Sequence, residues 1–419
     1  MSIRQRLLVT YPALASRNFF IFWVGMFVSL IGTWMQNTTQ PYLAYRLSGK
    51  PFDLGLIGFA SALPMLFLAL PGGVLVERLD KVKTVIAMQV VMLVQALLLA
   101  FLTFTGLIQI WHIVVLSFLL GMASAIEVTA RQSMLIELVG KEALPNAIAL
   151  QSTIMNAARV LGPSLVAPFL ILINGKGEGW AFLVNAISYL AIIISLFFVK
   201  TPFKTAKVFE ERNYLQDFKE GQSYILKTRM IGMIILMVAV LSVIAFPLTQ
   251  QIPVIASDVL RQVGDSDATR GARNSLLYSA QGVGALVAAF TLASYNARHK
   301  GRWMVAGQAV FIGGMILIYF SRSLSFEAII LALIGWGSVT MLANMNMLVQ
   351  LEVPDELRGR VFGAYIWGMQ GIAPFGALLI GWMTQVWGVP LVALTCGLVS
   401  LVVIAWIQLS SREIWNATS

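Results

Sequence analysis

Charge is what this sequence has least of. Asp, Glu, Lys and Arg together make up 11% of its 419 residues against 58% hydrophobic, and the mean hydropathy is +0.81. An ordinary soluble domain carries about 25% charged residues, and a chain this long would have too few polar side chains to cover its surface in water. Lipid is therefore the solvent over most of it. Cysteine is nearly missing too: a lone Cys396 excludes an internal disulfide, a paired-thiol redox centre and a cysteine cluster for zinc. With only His112 and His299, histidine-held metal has no basis either, and no metal site is expected. Asp265 and Asp267 in GDSDATRG lack the later Glu of a calcium loop and read as a solvated loop. No Gly-x-x-x-x-Gly-Lys loop can cradle ATP phosphates, and neither His-Glu-x-x-His nor Gly-x-Ser-x-Gly occurs. The expectation is a protein with no cofactor and no enzymatic chemistry.

What the chain has instead is long apolar runs. Runs of about 20 residues suit helices that cross a bilayer, whereas membrane strands need about 10 alternating residues. Twelve spans are expected, at 18–43, 53–76, 83–106, 110–136, 145–173, 178–199, 230–256, 272–294, 302–322, 326–349, 359–386 and 388–409. The first follows an arginine-bearing N-terminus but has full span length and no small-residue cleavage site, so it reads as a retained helix. One long polar segment, residues 200–230, carries mixed charge and an expected amphipathic helix. It divides the chain into 1–199, a linker at 200–229, and 230–419.

Cations set the orientation. With the N-terminus inside, 21 of the 29 Lys and Arg fall in cytoplasmic segments, 7 in outer loops, and Arg159 within a span. That asymmetry places both termini in the cytoplasm and makes the net charge of +10 a topology signal, with no nucleic-acid partner implied. The halves also match at an offset of 212 to 214 residues: MLIELVGKEALPN (134–146) with MLVQLEVPDELRG (347–359), TTQP (38–41) with QQIP (250–253), and Gly72 with Gly284. A parallel duplication of a six-helix unit follows, an arrangement that places a substrate site near the midplane between repeats.

Apart from charges in the first or last two residues of a span, only Glu127, Arg131 and Arg159 are expected inside spans, and intramembrane charge is a functional hypothesis by default. Glu127 and Arg131 are spaced i, i+4 and can pair. Glu127 is either a proton-coupling carboxylate or half of a structural, gating ion pair; nearby Arg131 and Lys81 favour its charged form. Pairing of those two leaves Arg159 as the uncompensated central cation, which points to an anionic or carbonyl-rich substrate. The polar side chains Gln36, Asn37, Gln40, Gln151, Asn156, Gln250 and Gln251 are candidates to line the cavity, because amides facing lipid are unfavourable. Trp34, Tyr278, Trp336, Met345 and Tyr365 are candidates for its apolar wall. Each of these side chains has helix packing as its alternative.

The loop GVLVERLDKVK (73–83) resembles the signature loop of the major facilitator superfamily through Gly73, Leu75, Arg78 and Lys81, with Glu77 in place of the usual Asp and Asp80 in place of the second Gly. SLIGTWMQ, TARQSMLIELVGKEALPNAIALQS, ARVLGPSL and VPDELRGRVFG resemble the exporter branch that contains enterobactin exporters and macrolide-efflux proteins. The resemblance implies an all-α membrane protein of twelve transmembrane helices in two pseudo-symmetric six-helix bundles. It implies a conformational latch at Gly73, Glu77, Arg78 and Lys81, and a charge relay from Glu127 to Lys81 and Arg78. In ARVLGPSL, Ala158, Gly162 and Pro163 resemble the antiporter motif of the fifth helix. The function expected is secondary active export of a small amphipathic molecule, drug or siderophore-like, by a monomer in the inner (plasma) membrane. Alternating access would drive it, with the proton gradient as energy source. A lysophospholipid flippase or uncoupled facilitator of the same fold is the alternative, and a membrane sensor lies further off.

Overall fold

The computed structural model of the protein describes residues 11–172, 177–199, 214–294 and 299–410, with the side chains of 69–78, 172, 214–218, 293 and 355 excepted. The membrane helices of the first half are α1 (Arg17–Ser48), α2 (Pro51–Arg78), α3 (Lys81–Phe104), α4 and α5 within Ile110–Leu172, and α6 (Gly177–Phe197). The expected amphipathic helix of the linker is α7 (Tyr214–Lys227). Then follow α8 (Arg229–Ile244), α9 (Asp267–Ser294), α10 (Lys300–Ile318), α11 (Leu324–Glu352), α12 (Asp355–Ile366), α13 (Ala373–Trp387) and α14 (Val389–Ser410). Among the described residues eleven helices are long and apolar enough to cross a membrane. Division of Ile110–Leu172 at Gly140 yields the twelve expected spans. Helix starts recur between the halves, at Arg17 and Arg229, Ile110 and Leu324, and Gly177 and Val389.

Three spans depart from the simple runs read in the sequence. The polar stretch between the fourth and fifth spans forms no loop. Gly140 alone leaves helical geometry, at φ 76° and ψ 171°, so α4 (110–139) passes into α5 (141–172) through one residue. Glycine is the residue that takes such a φ without a steric penalty. The seventh span stays α-helical only to Ile244; Pro247 and Pro253 remove backbone donors, and the chain continues as a 3-10 turn, Phe246–Gln251, and a π turn, Ile255–Val259. The eleventh span is likewise interrupted by a π turn, Trp367–Gly371, just before Pro374. There the Ser242 hydroxyl donates to the Met369 carbonyl, so a side chain from α8 satisfies a backbone group at the break.

Two compact units emerge. The first comprises Met1–Leu43, Leu63–Lys207 and Asp267–Ser275, the second Ala44–Ala62, Val208–Ser266 and Leu276–Ser419. Two short segments thus join the unit of the opposite sequence half. In the first unit, the Tyr42 hydroxyl donates to the Asp267 carbonyl at 2.5 Å and the Asn274 amide to the Thr38 carbonyl at 3.3 Å. In the second, the Tyr45 hydroxyl donates to the Asp258 carboxylate, and Gly55 lies so close to α13 that a Cβ there would meet the Ala377 carbonyl oxygen at 2.4 Å.

Inside the first unit an apolar cluster joins Phe19, Phe22 and Met26 of α1 to Val85, Ala130, Met134, Ile154 and Ile192. Next to it runs a chain of amides. The Gln36 amide donates to Gln40 and to Gln95, both at 3.1 Å, and Asn185 donates to Gln36 at 2.7 Å. The Gln40 amide reaches the Ser117 hydroxyl at 2.6 Å. Four helices, α1, α3, α4 and α6, are tied this way. Outward-facing positions are apolar, such as Phe67, Phe101 and Val402, as a lipid solvent requires.

In the second unit close approach of helix backbones adds to polar bonds such as the one from the Gln408 amide to Gln308 at 3.1 Å. A Cβ on Gly284 of α9 would lie 1.8 Å from the Ala332 carbonyl oxygen of α11, and one on Gly335 would lie 2.0 Å from the Gln281 carbonyl oxygen. Small residues let such helices pack backbone to backbone, the main source of helix association in lipid.

Two predictions follow from this packing. Gly284→Ala and Gly335→Ala each overpack the crossing and lower stability in detergent by about 1–3 kcal/mol. Gly313→Ala meets nothing within 4 Å and should leave the thermal midpoint unchanged or raised; equal effects at all three positions would refute the close-approach account. Gln36→Leu should cost about 1 kcal/mol, the scale of interhelical hydrogen bonds in lipid, and the combination with Gln95→Leu should cost less than the sum of the single changes.

Candidate functional site

The charges expected inside the membrane belong to the first unit. On α4, Glu127 and Arg131 are 6% and 8% exposed, and the Arg131 Nε donates to the Glu127 carboxylate at 3.0 Å. Gln89 of α3 adds a second donor to the same oxygen at 3.4 Å. Two donors on one buried carboxylate offset part of its desolvation cost. The i, i+4 pair read in the sequence is therefore formed, with Gln89 as a partner that spacing alone does not reveal.

The relay to Lys81 takes a different form. Lys81, the first residue of α3, pairs with Glu137 rather than with Glu127. Glu137 lies one turn before Gly140, level with the start of α3, whereas Glu127 is ten residues deeper, about 15 Å along the helix. A lysine stem does not span that distance. Asp80, which departs from the family pattern, caps α3: its carboxylate accepts the Lys83 backbone N–H at 3.1 Å. The side chains of the other latch candidates, Gly73, Glu77 and Arg78, lie outside those described.

Arg159 is on α5, away from the Glu127 pair. Its guanidinium sits over the ring of Trp34 on α1, 4.9 Å from the centroid, within the range of a cation–π contact. Gly162 makes this possible: a Cβ there would lie 2.5 Å from the Trp34 Cβ and 2.9 Å from the Ile31 carbonyl oxygen. With Ala158 and Pro163 also buried, the motif ARVLGPSL thus brings α5 against α1 and stacks Trp34 below Arg159.

The other candidates divide by environment. Gln36 and Gln40 are buried in the amide chain described above and are fully engaged in tying helices. Asn37 is exposed, Gln151 half-buried with its amide nitrogen lacking a partner, and Asn156 half-buried with its amide donating to the Ser152 carbonyl at 2.9 Å. In the second unit Gln250 fills the space left by Gly58, Gln251 is buried with its amide oxygen lacking a partner, and Trp336 packs on Trp303 at 6.3 Å. Tyr365 and Met345 are core residues, at 1% and 0% exposure, rather than a cavity wall. Glu327 was not among the candidates: it is fully buried in the first turn of α11, and its carboxylate oxygens meet no donor at hydrogen-bond geometry. It lies at the edge of an apolar run, where a charge reads as a solvated helix end.

Comparison with known proteins agrees with this architecture. The model of the transmembrane secretion effector family matches residues 9–416. The chain is 24% identical over 372 residues to the staphyloferrin A transporter of Staphylococcus aureus, covering 88% of this chain and 90% of that protein. It is 21% identical to the multidrug efflux pump Tap of Mycolicibacterium fortuitum, covering 81% and 83%. Among solved structures, a bacterial homologue of the human lysosomal transporter Spinster, inward-facing and unoccupied, superposes with a TM-score of 0.67 at 14% identity, covering 95% of this chain and 98% of that one. The nucleoside transporter NupG gives 0.70 at 11% identity, covering 96% and 100%. Twelve spans in two repeated halves, matched by this model along nearly the whole chain, make the protein a member of the transmembrane secretion effector family, within the exporter branch of the major facilitator superfamily.

Proposed function

We propose that the chain is a secondary active exporter that moves a small amphipathic molecule out of the cell against an inward flow of protons. The observation that carries this reading is the Glu127–Arg131 pair, a carboxylate buried in the membrane and held by two donors that are themselves protein groups. In this reading the carboxylate passes between the form bonded to Arg131 and a form that has taken up a proton and let Arg131 go. Passage between them couples a proton to a rearrangement of α3 and α4, which is what an antiporter needs. The siderophore and drug named for the two relatives support an amphipathic substrate class, the efflux named for one of them supports export as the direction, and the cation asymmetry supports termini in the cytoplasm. A monomer in the plasma membrane suffices for this mechanism.

In inside-out vesicles that contain the protein, an acid interior should drive uptake of a fluorescent amphiphile several-fold over vesicles without a gradient. Glu127→Gln should remove that several-fold stimulation, so that uptake is the same with and without the gradient, while exchange of labelled for unlabelled substrate continues. Full gradient-driven uptake in Glu127→Gln would exclude coupling at this residue, and uptake indifferent to the gradient in the parent would make the protein a facilitator. A green fluorescent protein fused to the C-terminus should fluoresce and an alkaline phosphatase fused there should be inactive; the opposite pattern would reverse the orientation.

A further inference from the structure

Arg131 and Arg159, on α4 and α5 of the first unit, are in different chemical situations. Arg131 is compensated by Glu127 at 3.0 Å. Arg159 has no ion pair among the described residues, and its Nε, shielded from solvent, has no hydrogen-bond partner. What it has is the face of Trp34 at 4.9 Å. A ring face attracts a cation through its quadrupole but does not compensate a full charge, and it leaves the planar fork of N–H donors unoccupied. That fork matches the two oxygens of a carboxylate or another planar oxyanion.

The surroundings are built to hold this geometry. Gly162 brings the α1 backbone against α5, so Trp34 has no room to move toward α5 and its ring stays under the guanidinium. Asn156 lies one turn before Arg159 on the same side of α5. Its amide nitrogen is already bonded to the Ser152 carbonyl. Exposed Asn37 follows Trp34 by three residues on α1. The cation and the aromatic face thus meet at the α1–α5 contact of the first unit, with the Asn156 amide one turn to one side of it along α5 and Asn37 about one turn to the other side along α1.

We propose that Arg159, seated on Trp34, is the recognition element for a carboxylate or other planar oxyanion carried by the exported amphiphile. The inference rests on the exporter reading only for the statement that the bound molecule is moved. Selectivity for anions is set by Arg159, and the apolar part of the ligand lies along Trp34.

Two dyes that share a xanthene ring separate the alternatives: carboxyfluorescein, an anion, and tetramethylrhodamine ethyl ester, a cation. Equilibrium binding to the purified full chain in detergent should favour the anion by about tenfold or more, the scale of one charge-assisted hydrogen bond. Arg159→Gln should abolish that preference, and Arg159→Lys, which keeps the charge but loses the fork, should retain part of it. Gly162→Ala, which displaces Trp34, should weaken anion binding with Arg159 still present. The proposal is overturned if the parent binds no anion, if it binds both dyes equally or prefers the cation, or if Arg159→Gln keeps the preference. Should Arg159→Gln not fold, the Lys and Gly162→Ala variants decide in the same way. A parent that binds the anion with this preference yet moves neither dye across vesicles refutes the exporter reading and leaves the recognition site standing.

Discussion

Every polar group in the first unit is subject to one constraint: in hydrocarbon it must find its partner within the protein. The chain of Asn185, Gln36, Gln95, Gln40 and Ser117 is the result, and it ties four helices that apolar contact alone leaves free to slide, because lipid tails compete equally for apolar faces. The Glu127–Arg131–Gln89 cluster obeys the same rule at higher cost, since its members carry charge. Arg159 meets it only in part, through a ring face. The site chemistry is legible as the place where the rule is least completely satisfied.

The halves answer the constraint differently. The first unit adds a chain of amides and a buried ion pair to glycine contacts such as Gly162, whereas α10 and α11 of the second pack backbone to backbone at Gly307 and Gly337, and α9 and α11 at Gly284 and Gly335. The positions that the repeat places opposite Glu127 and Arg131 are Thr340 and Asn344. Both are buried, and Asn344 merely donates to the Thr340 carbonyl one turn back at 2.8 Å. The duplicated scaffold thus holds a neutral copy of the charged pair. At these matched positions the charge is therefore present in one half only, whereas helix starting points stay nearly matched.

Much of this was readable in the sequence. Apolar run lengths located all twelve spans, because a lipid solvent imposes composition directly on length. The i, i+4 spacing gave Glu127–Arg131, a contact local to one helix. Contacts between helices were harder. Gln36 and Gln40 read as cavity residues because their amides cannot face lipid, and periodicity does not say which interior they face. Lys81 was assigned the wrong acid because depth depends on where α4 ends, and Gly140 moves that end. Trp34 beneath Arg159 was invisible, although Gly162, the residue that permits it, stood in a recognised motif. Glu327 escaped because one turn separates a solvated helix end from a buried one.

The single-residue turn at Gly140 also bears on how the protein enters the membrane. A span that carries Glu127 and Arg131 has two side chains that each oppose insertion by about 2.5–3.5 kcal/mol near a helix centre. With no loop between them, α4 and α5 leave the translocation channel as one hairpin, and the apolar surface of α5 is available while the charges of α4 are still being accommodated. Glu127 and Arg131, one turn apart, can neutralise each other before any other helix arrives. The order of synthesis, pair first and hairpin next, lowers a barrier that the fourth span alone would meet unaided.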